Sequence, residues 1–159
     1  MKRFFPILLI ALLIAAMLLV GTVWLLSFLF APGDSILASL SDYESKEYYS
    51  NGGFQDFTDY GKYTYRIYET ELMENPYFQP VTEDTIPRIH TYLDNFENWV
   101  DIDSEFPREA YDFDRSQVQP GDYFCILNRY EEPEKEFWHY DVYYFDLSEG
   151  ILYFFHSNI

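Results

Sequence analysis

The sequence predicts an α+β protein: an N-terminal transmembrane helix followed by one domain with two helices packed on an antiparallel sheet of about four strands. Three observations predict it. Residues 4–30 carry no charged side chain, an apolar stripe with helical spacing runs through residues 83–100, and three aromatic-rich segments close the chain. Helices followed by a run of strands favour helices packed on one side of an antiparallel sheet.

The apolar run at the N-terminus is long enough to cross a membrane. Its 27 residues, Phe4 to Phe30, would form a helix of about 40 Å, whereas a bilayer's hydrocarbon core needs only about 20 residues. A cleavable signal peptide usually has an apolar region of about 7–15 residues. Ala31-Pro32-Gly33 does offer the small residues of a cleavage site, but bulky Trp24 and Phe28 lie shortly before it. We therefore expect a retained signal anchor.

The charges that flank this run predict its orientation. Lys2 and Arg3 are the only charged residues before Asp34, and basic residues stay on the cytoplasmic side of a membrane. Residues 1–33 are thus expected to form a short cytoplasmic tail and the anchor in the cell membrane. Residues 34–159 are expected to form a single domain outside the cytoplasm, of a size typical for one domain.

The composition of residues 34–159 is acidic and aromatic. This part holds 27 acidic residues against eight basic ones, a formal charge of −19, with 29 aromatic residues against 19 Ile, Leu and Val. Disordered acidic chains are poor in aromatics, so a folded aromatic core is expected. The charge repels nucleic-acid phosphates and excludes a direct nucleic-acid role. The single cysteine, Cys125, excludes an internal disulfide.

The first part of this domain predicts a helix and then a strand. Asp34 or Ser35 can cap a helix that Asn51-Gly52-Gly53 ends. A strand is predicted over residues 62–68, and one short helical turn ended by Asn75-Pro76 within residues 69–80. The residues that give the first helix its apolar spacing are Ile36, Leu37, Leu40, Tyr43 and Tyr48.

The second half predicts one long helix and three strands. The helix runs from Glu83 to Val100 with Thr82 as its cap. The strands span residues 122–130, 136–146 and 151–156, joined by turns at 131–135 and 147–150. Both faces of the strand at 136–146 carry aromatics, so the face away from the helices needs a cover, from the first helix or from a partner. The helix stripe consists of Ile86, Ile89, Leu93, Phe96 and Val100.

Two acidic stretches resemble the start of a calcium loop but lack its later residues. A calcium hand needs Gly at its sixth position and Glu at its twelfth, and both stretches have other residues there. An irregular calcium site therefore stays an alternative, and ordinary solvated acids are the preferred interpretation. The oxygen ligands of such a site would be Asp101, Asp103, Glu105, Asp112 and Asp114.

No other motif predicts chemistry. His90, His139 and His156 have no metal-ligand spacing, and Cys125 lies in the middle of a predicted strand, as a buried residue would. There is no G-x-S-x-G elbow and no Gly-rich phosphate loop. We therefore assign no catalytic, cofactor-binding or metal-ligating residue, and no cofactor. Paired carboxylates are too numerous here for any one pair to be informative.

Three stretches carry a resemblance to known proteins. "FQDFTDYGKY", "YDFDRSQVQPGDYF" and "VYYFDLSEGILYFFHSNI" resemble stretches of small membrane-anchored bacterial proteins that are uncharacterised. The resemblance covers most of the region after Gly53. It implies a membrane-anchored setting and no activity or site.

Three classes of function fit these observations. The favoured one is a membrane-tethered module, accessory or inhibitory, that binds a protein partner outside the cytoplasm, because aromatics anchor protein interfaces. The second is a cell-wall or carbohydrate binder that stacks sugars on Trp99, Trp138 and exposed tyrosines. The third is an enzyme with paired carboxylates, which the missing motifs make less favoured than a non-catalytic role.

We expect the full chain to stay in the membrane, because the apolar run exceeds that of a signal peptide and follows Lys2 and Arg3. Membrane fractionation followed by N-terminal sequencing measures this directly. A soluble mature form that begins near Asp34 would contradict the anchor.

Overall fold

The computed structural model describes residues 34–50, 57–102 and 106–159, together with Met17. The chain divides into two units, Met1–Ser39 and Leu40–Ile159. Apart from Met17, the predicted anchor at residues 4–30 lies outside the described residues. Among the residues that are described, no helix has the length and apolarity needed to cross a membrane.

The first unit is described from Asp34 onward. Asp34 Oδ1 accepts hydrogen bonds from the backbone nitrogens of Ile36 and Leu37, at 2.9 and 3.1 Å. This is the predicted cap, but it starts only a short 3₁₀ helix, Leu37–Ser39.

The predicted first helix is therefore wrong beyond this turn, because residues Ser45–Ser50 form strand β1. The spacing of Leu40, Tyr43 and Tyr48 fits a helix, yet the paired tyrosines Tyr48 and Tyr49 also suit a strand. Pairing along the edge of a neighbouring strand satisfies the backbone there, so the tertiary contact overrides the local pattern.

The second unit is built on an antiparallel sheet, and the predicted α+β class is confirmed. Within the described residues the sheet has six strands, where about four were expected, in the order β1-β2-β6-β5-β4-β3. The additional strands are β1 and the two-residue β3, which lie at the two edges. After β1, the strands are β2 Phe57–Thr64, β3 Gln79–Pro80, β4 Tyr123–Asn128, β5 His139–Asp146 and β6 Ile151–Asn158.

The hairpin between β5 and β6 is the tightest connection in the sheet, and its predicted position is confirmed. Asp146 pairs with Ile151, and Gly150 N donates to the Asp146 carbonyl oxygen at 2.9 Å. Gly150 has a φ of +68° and a Cβ there would lie 2.8 Å from the Tyr65 carbonyl oxygen. Only glycine meets both conditions.

Two α-helices connect the strands within the described second unit. Helix α1, Glu69–Glu74, is the short turn predicted before Asn75-Pro76. Helix α2 spans Ile86–Ile102 and confirms the predicted long helix. It begins three residues later than expected, with Pro87 in its first turn, where the missing backbone N–H costs no hydrogen bond. Its buried residues are Ile89, Tyr92, Leu93, Phe96 and Val100.

Helix α2 packs on one face of the sheet and forms the main core there. Phe96 meets Phe155 of β6 edge-on, with ring centroids 5.3 Å apart, and Phe155 in turn contacts Tyr60 of β2 at 5.6 Å. Tyr92 contacts Tyr140 of β5 at 5.0 Å. Edge-to-face packing at these distances adds to the burial of each ring, so the core is largely a lattice of aromatic rings.

The opposite face of the sheet is also buried along its central strands. Asp141, Tyr143 and Phe145 of β5 are all less than 5% exposed. The first helix cannot be the cover expected from the sequence, because β1 occupies most of its place. Among described residues, Tyr65 packs on Phe145 with centroids 5.9 Å apart.

We expect Leu93→Ala and Phe96→Ala each to lower the free energy of unfolding by about 2–5 kcal/mol, the usual cost of truncating a buried large side chain. Both side chains are fully buried on α2. Asn98→Ala, on the exposed side of the same helix, is the matched control and should change that free energy by less than about 0.5 kcal/mol. Thermal unfolding of the full chain in a mild detergent, monitored by near-UV circular dichroism, measures the stability of all three variants. Equal losses of stability in the control variant and in the two core variants would contradict the packing of α2.

Candidate functional site

The acidic residues that resembled a calcium site have other partners where they are described. Asp112 accepts hydrogen bonds from Tyr60 at 2.8 Å and from Lys62 at 2.6 Å. Burial opposes ionisation of Asp112, but these two donors outweigh it and lower its pKa. The Asp112 carboxylate is thus a structural acceptor at the edge of the core.

The remaining members of that set are dispersed. Asp114 Oδ1 accepts from the backbone nitrogen of Ser116 at 2.9 Å and caps a 3₁₀ turn. Asp101 forms an exposed ion pair with Arg108 at 3.5 Å. Asp103 and Glu105 lie outside the described residues. In the ranges that are described, no three His, Cys, Asp or Glu side chains gather as metal ligands.

Two of the three histidines, which looked scattered in the sequence, come together on the sheet. His139 of β5 and His156 of β6 have ring centroids 5.3 Å apart, edge to face. His90 lies elsewhere on α2, with its Nε2 3.3 Å from the Arg115 carbonyl oxygen. The pairing of β5 with β6 is what brings His139 and His156 into contact.

His156 lies between two carboxylates in a row across three strands, which we name the histidine row: Asp59, His156 and Asp141. Asp59 of β2 and Asp141 of β5 are the Cα partners of His156 on either side. His156 Nδ1 lies 2.5 Å from Asp141 Oδ1, and Arg129 Nη2 approaches the other Asp141 oxygen at 3.6 Å. All three residues of the row are less than 10% exposed.

The hydroxyl group beside the histidine row is not activated. Tyr48 donates its hydroxyl proton to Asp59 Oδ2 at 2.8 Å. Burial, and then the hydrogen bond and charge of Asp59, raise the pKa of Tyr48. A phenol held in its protonated form is a poor nucleophile. The imidazole–carboxylate pair is buried within this sheet face.

Asp122 and Cys125 have structural environments as well. Burial raises the pKa of Asp122, whose carboxylate accepts from the Tyr144 hydroxyl at 2.5 Å and from the Leu147 backbone nitrogen at 3.0 Å. These bonds attach the β5–β6 turn to the start of β4. Cys125 is buried, as expected from its position within a strand.

A second group of functional side chains lies on the long connection between β4 and β5. This connection, residues 129–138, contains a 3₁₀ turn at Pro133–Lys135 and borders α2. Together they line an open cleft of about 250 Å³. The lining residues are Arg88, Tyr92, Asn128, Tyr130, Glu131, Glu132, Pro133 and Glu136.

Hydrogen bonds hold this connection in one shape. Asn128 fastens both of its ends, because its Oδ1 accepts from Tyr130 N at 3.0 Å and its Nδ2 donates to the Glu136 carbonyl oxygen at 2.9 Å. Tyr92 of α2 donates to Glu136 Oε1 at 2.7 Å. Trp138 accepts, through its carbonyl oxygen, from the backbone nitrogen of Ile159 at 2.8 Å. These bonds fix the backbone of the connection near both of its ends, together with the side chain of Glu136.

Five of the seven exposed residues of this connection form what we name the hairpin patch: Tyr130, Glu131, Glu132, Glu134 and Trp138; the other two are Arg129 and Pro133. Trp138 remains 47% exposed and Tyr130 39%. Their rings meet at 82° with centroids 6.4 Å apart, so they do not form a flat platform. The three glutamates are exposed around them, which makes the patch aromatic at its centre and acidic at its rim.

Comparisons with protein-family models, with curated proteins and with solved structures give no match for this chain.

The sequence contains a signal for part of the histidine row. Strand alternation places His139 and Asp141 on one face of their strand. A hairpin that turns at residues 147–150 then sets Asp141 opposite His156. The hairpin patch had a weaker signal, since residues 131–135 were assigned only as a turn, and its exposed tryptophan depends on the tertiary fold.

His139 should make the protein sensitive to acid. Burial, and then the neighbouring His156 and Arg129 side chains, lower the pKa of His139. Its proton therefore binds more readily in the unfolded chain, where a histidine has a pKa of about 6.5, so stability is complete above that pH and is lost as the pH falls through it. We expect His139→Asn to lose less stability than the parent protein between pH 7.5 and pH 5.

Thermal unfolding of the full chain across this pH range measures the effect. At pH 8, where both proteins hold a neutral group at this position, any difference reports packing alone and serves as the control. A pH dependence that is the same in both proteins would contradict the role of His139.

Proposed function

We propose that this protein is a membrane-tethered module whose domain outside the cytoplasm binds a protein partner through the hairpin patch. The observation that supports it most is an exposed tryptophan and tyrosine, Trp138 and Tyr130, whose rings are in contact on a connection that also carries three exposed glutamates. Residues that dominate protein interfaces are typically Trp, Tyr and Arg surrounded by polar groups. The apolar run at residues 4–30 supports the tether.

The rigidity of the patch favours recognition. Ordering side chains during association costs free energy, and a surface that is already ordered avoids part of that cost. Asn128 fixes both ends of the connection and Glu136 links it to α2 through Tyr92. The patch therefore presents one geometry, which suits a specific partner.

The alternatives have less support. Sugar binding favours aromatic faces that lie coplanar and open, whereas the Tyr130 and Trp138 rings are nearly perpendicular. Trp99 is half-buried and its ring nitrogen is enclosed, so it offers little stacking surface. An enzyme would need an accessible reactive group, while the histidine row is buried and Tyr48 beside it is held protonated.

Site-specific photocrosslinking in intact cells that produce the protein tests this function. The photoreactive residue p-benzoylphenylalanine replaces Tyr130 in one variant and Tyr68, which is 80% exposed elsewhere, in the control. We expect a discrete adduct with one protein from position 130 and none from position 68. Equal adducts from both positions, or none from position 130, would contradict a partner at the hairpin patch.

A further inference from the structure

We propose that the hairpin patch, in the partner-binding role given above, takes a lysine or arginine side chain from an extended basic segment of the partner. This inference rests on the proposed function and specifies its chemistry. A cation is recognised best where an aromatic ring and a carboxylate face the same point, since the ring attracts it through its quadrupole and the carboxylate through its charge. The patch combines both groups.

Two of the three glutamates of the hairpin patch form no ion pair with the described residues. Within the described residues, neither Glu131 nor Glu134 takes part in an ion pair, and Glu132 pairs only with Lys135. The chain as a whole has a net charge of −17, so a basic partner is attracted and an anionic one is repelled. Charge complementarity therefore selects a cationic segment.

The protein's own Lys135 shows how a cation fits this place. Its Nζ lies 3.2 Å from Glu132 Oε1 and 5.5 Å from the centre of the Tyr130 ring. This is within the distance of about 6 Å over which a cation and a ring attract each other. Lys135 thus occupies, from inside the chain, the position that we assign to the partner's cation.

Two consequences follow from this internal occupant. Lys135 lies on a 3₁₀ turn at the surface and forms an ion pair with Glu132. Because such surface ion pairs contribute little stability in water, another cation can displace Lys135. Lys135 also competes with the partner, which means that its removal should strengthen binding. A surface that attracted cations by net charge alone would respond to any lost lysine in the same way.

The choice of a lysine or arginine over other ligands rests on the same contacts. In the described ranges the patch glutamates form no metal-ligand group with His, Cys or Asp. An ammonium or guanidinium needs only one carboxylate and one ring, and Glu132 with Tyr130 already supply these to Lys135. A long side chain can also reach into the adjoining cleft of about 250 Å³.

The test uses the full chain in a zwitterionic detergent and a fluorescein-labelled peptide of alternating lysine and glycine, at near-physiological salt. The same peptide with every lysine acetylated is the ligand control. Fluorescence anisotropy measures the dissociation constant. We expect the lysine peptide to bind and the acetylated peptide to bind at least tenfold more weakly.

Variants distinguish binding at the hairpin patch from attraction of the peptide by the net charge of the protein. We expect Tyr130→Leu to weaken binding about threefold and Tyr130→Phe to restore it, the size expected for an exposed cation–ring contact. Tyr68→Leu is the matched control and should change nothing. Glu134→Gln should weaken binding more than Glu74→Gln, an equal loss of charge on the exposed side of α1.

The lysine pair is the sharpest comparison. Lys135→Gln should tighten binding about threefold, whereas Lys46→Gln, which removes an equal charge and another lysine held over tyrosine rings, should have a smaller effect. Equal effects of the two lysine variants, or of Tyr130→Leu and Tyr68→Leu, would overturn the proposal. If photocrosslinking at position 130 still reports a partner, the proposed function survives and only its cationic chemistry is wrong; if both fail, the patch binds no partner.

Discussion

A tyrosine hydroxyl that is buried beneath a helix must donate a hydrogen bond to an acceptor, and this requirement organises the domain. Tyr60 donates to Asp112, and Tyr111 donates to Glu97, each at 2.8 Å. Burial, and then these hydrogen bonds, raise the pKa of both phenols and keep them protonated. An unsatisfied buried hydroxyl would cost about 1–3 kcal/mol, so an aromatic core of this kind depends on carboxylates around its rim.

The same carboxylates need compensation of their own. Lys62 pairs with Asp112 at 2.6 Å, and Arg115 lies 3.3 Å from Glu97. Two of the basic residues, Lys62 and Arg115, are thus placed where a carboxylate is brought close to the core. Each arrangement is a chain of three groups, phenol to carboxylate to cation, that connects the sheet or the loop before β4 to its neighbours.

The parts of the fold that follow local patterns could be predicted, and the edge strands could not. Helix α2 has an apolar stripe over its full length, and the β5–β6 hairpin has a turn with Gly150. Strand β1 is six exposed or half-exposed residues, so no burial pattern marks it. Its pairing with β2 stabilises it, and the two-residue β3 depends likewise on β4. Such pairings are long-range and do not show in a local window.

The histidine row and the hairpin patch also differ in how far the local sequence predicts them. In the histidine row, the pairing of Asp141 with His156 follows from strand alternation and one hairpin register, both readable from residues 139–156. The third member, Asp59, is added by the pairing of β2 with β6, which lies outside that stretch. The hairpin patch depends on how far the connection at residues 129–138 projects from α2, which local sequence does not determine. Asn128 holds the shape of the connection by forming hydrogen bonds to both of its ends. A single asparagine before a charged turn is too common in sequences to predict such a role.

The carboxylates of the domain have different surroundings near the core and at the hairpin patch. Carboxylates near the core, such as Asp112, Glu97 and Asp122, each accept a tyrosine hydroxyl and thereby stabilise the fold. Glu131 and Glu134 accept none from the described residues and are exposed on the connection between β4 and β5. Carboxylates of the first kind complete the core, whereas exposed ones lie in solvent, and those of the hairpin patch are the ones that we propose for a partner's cation.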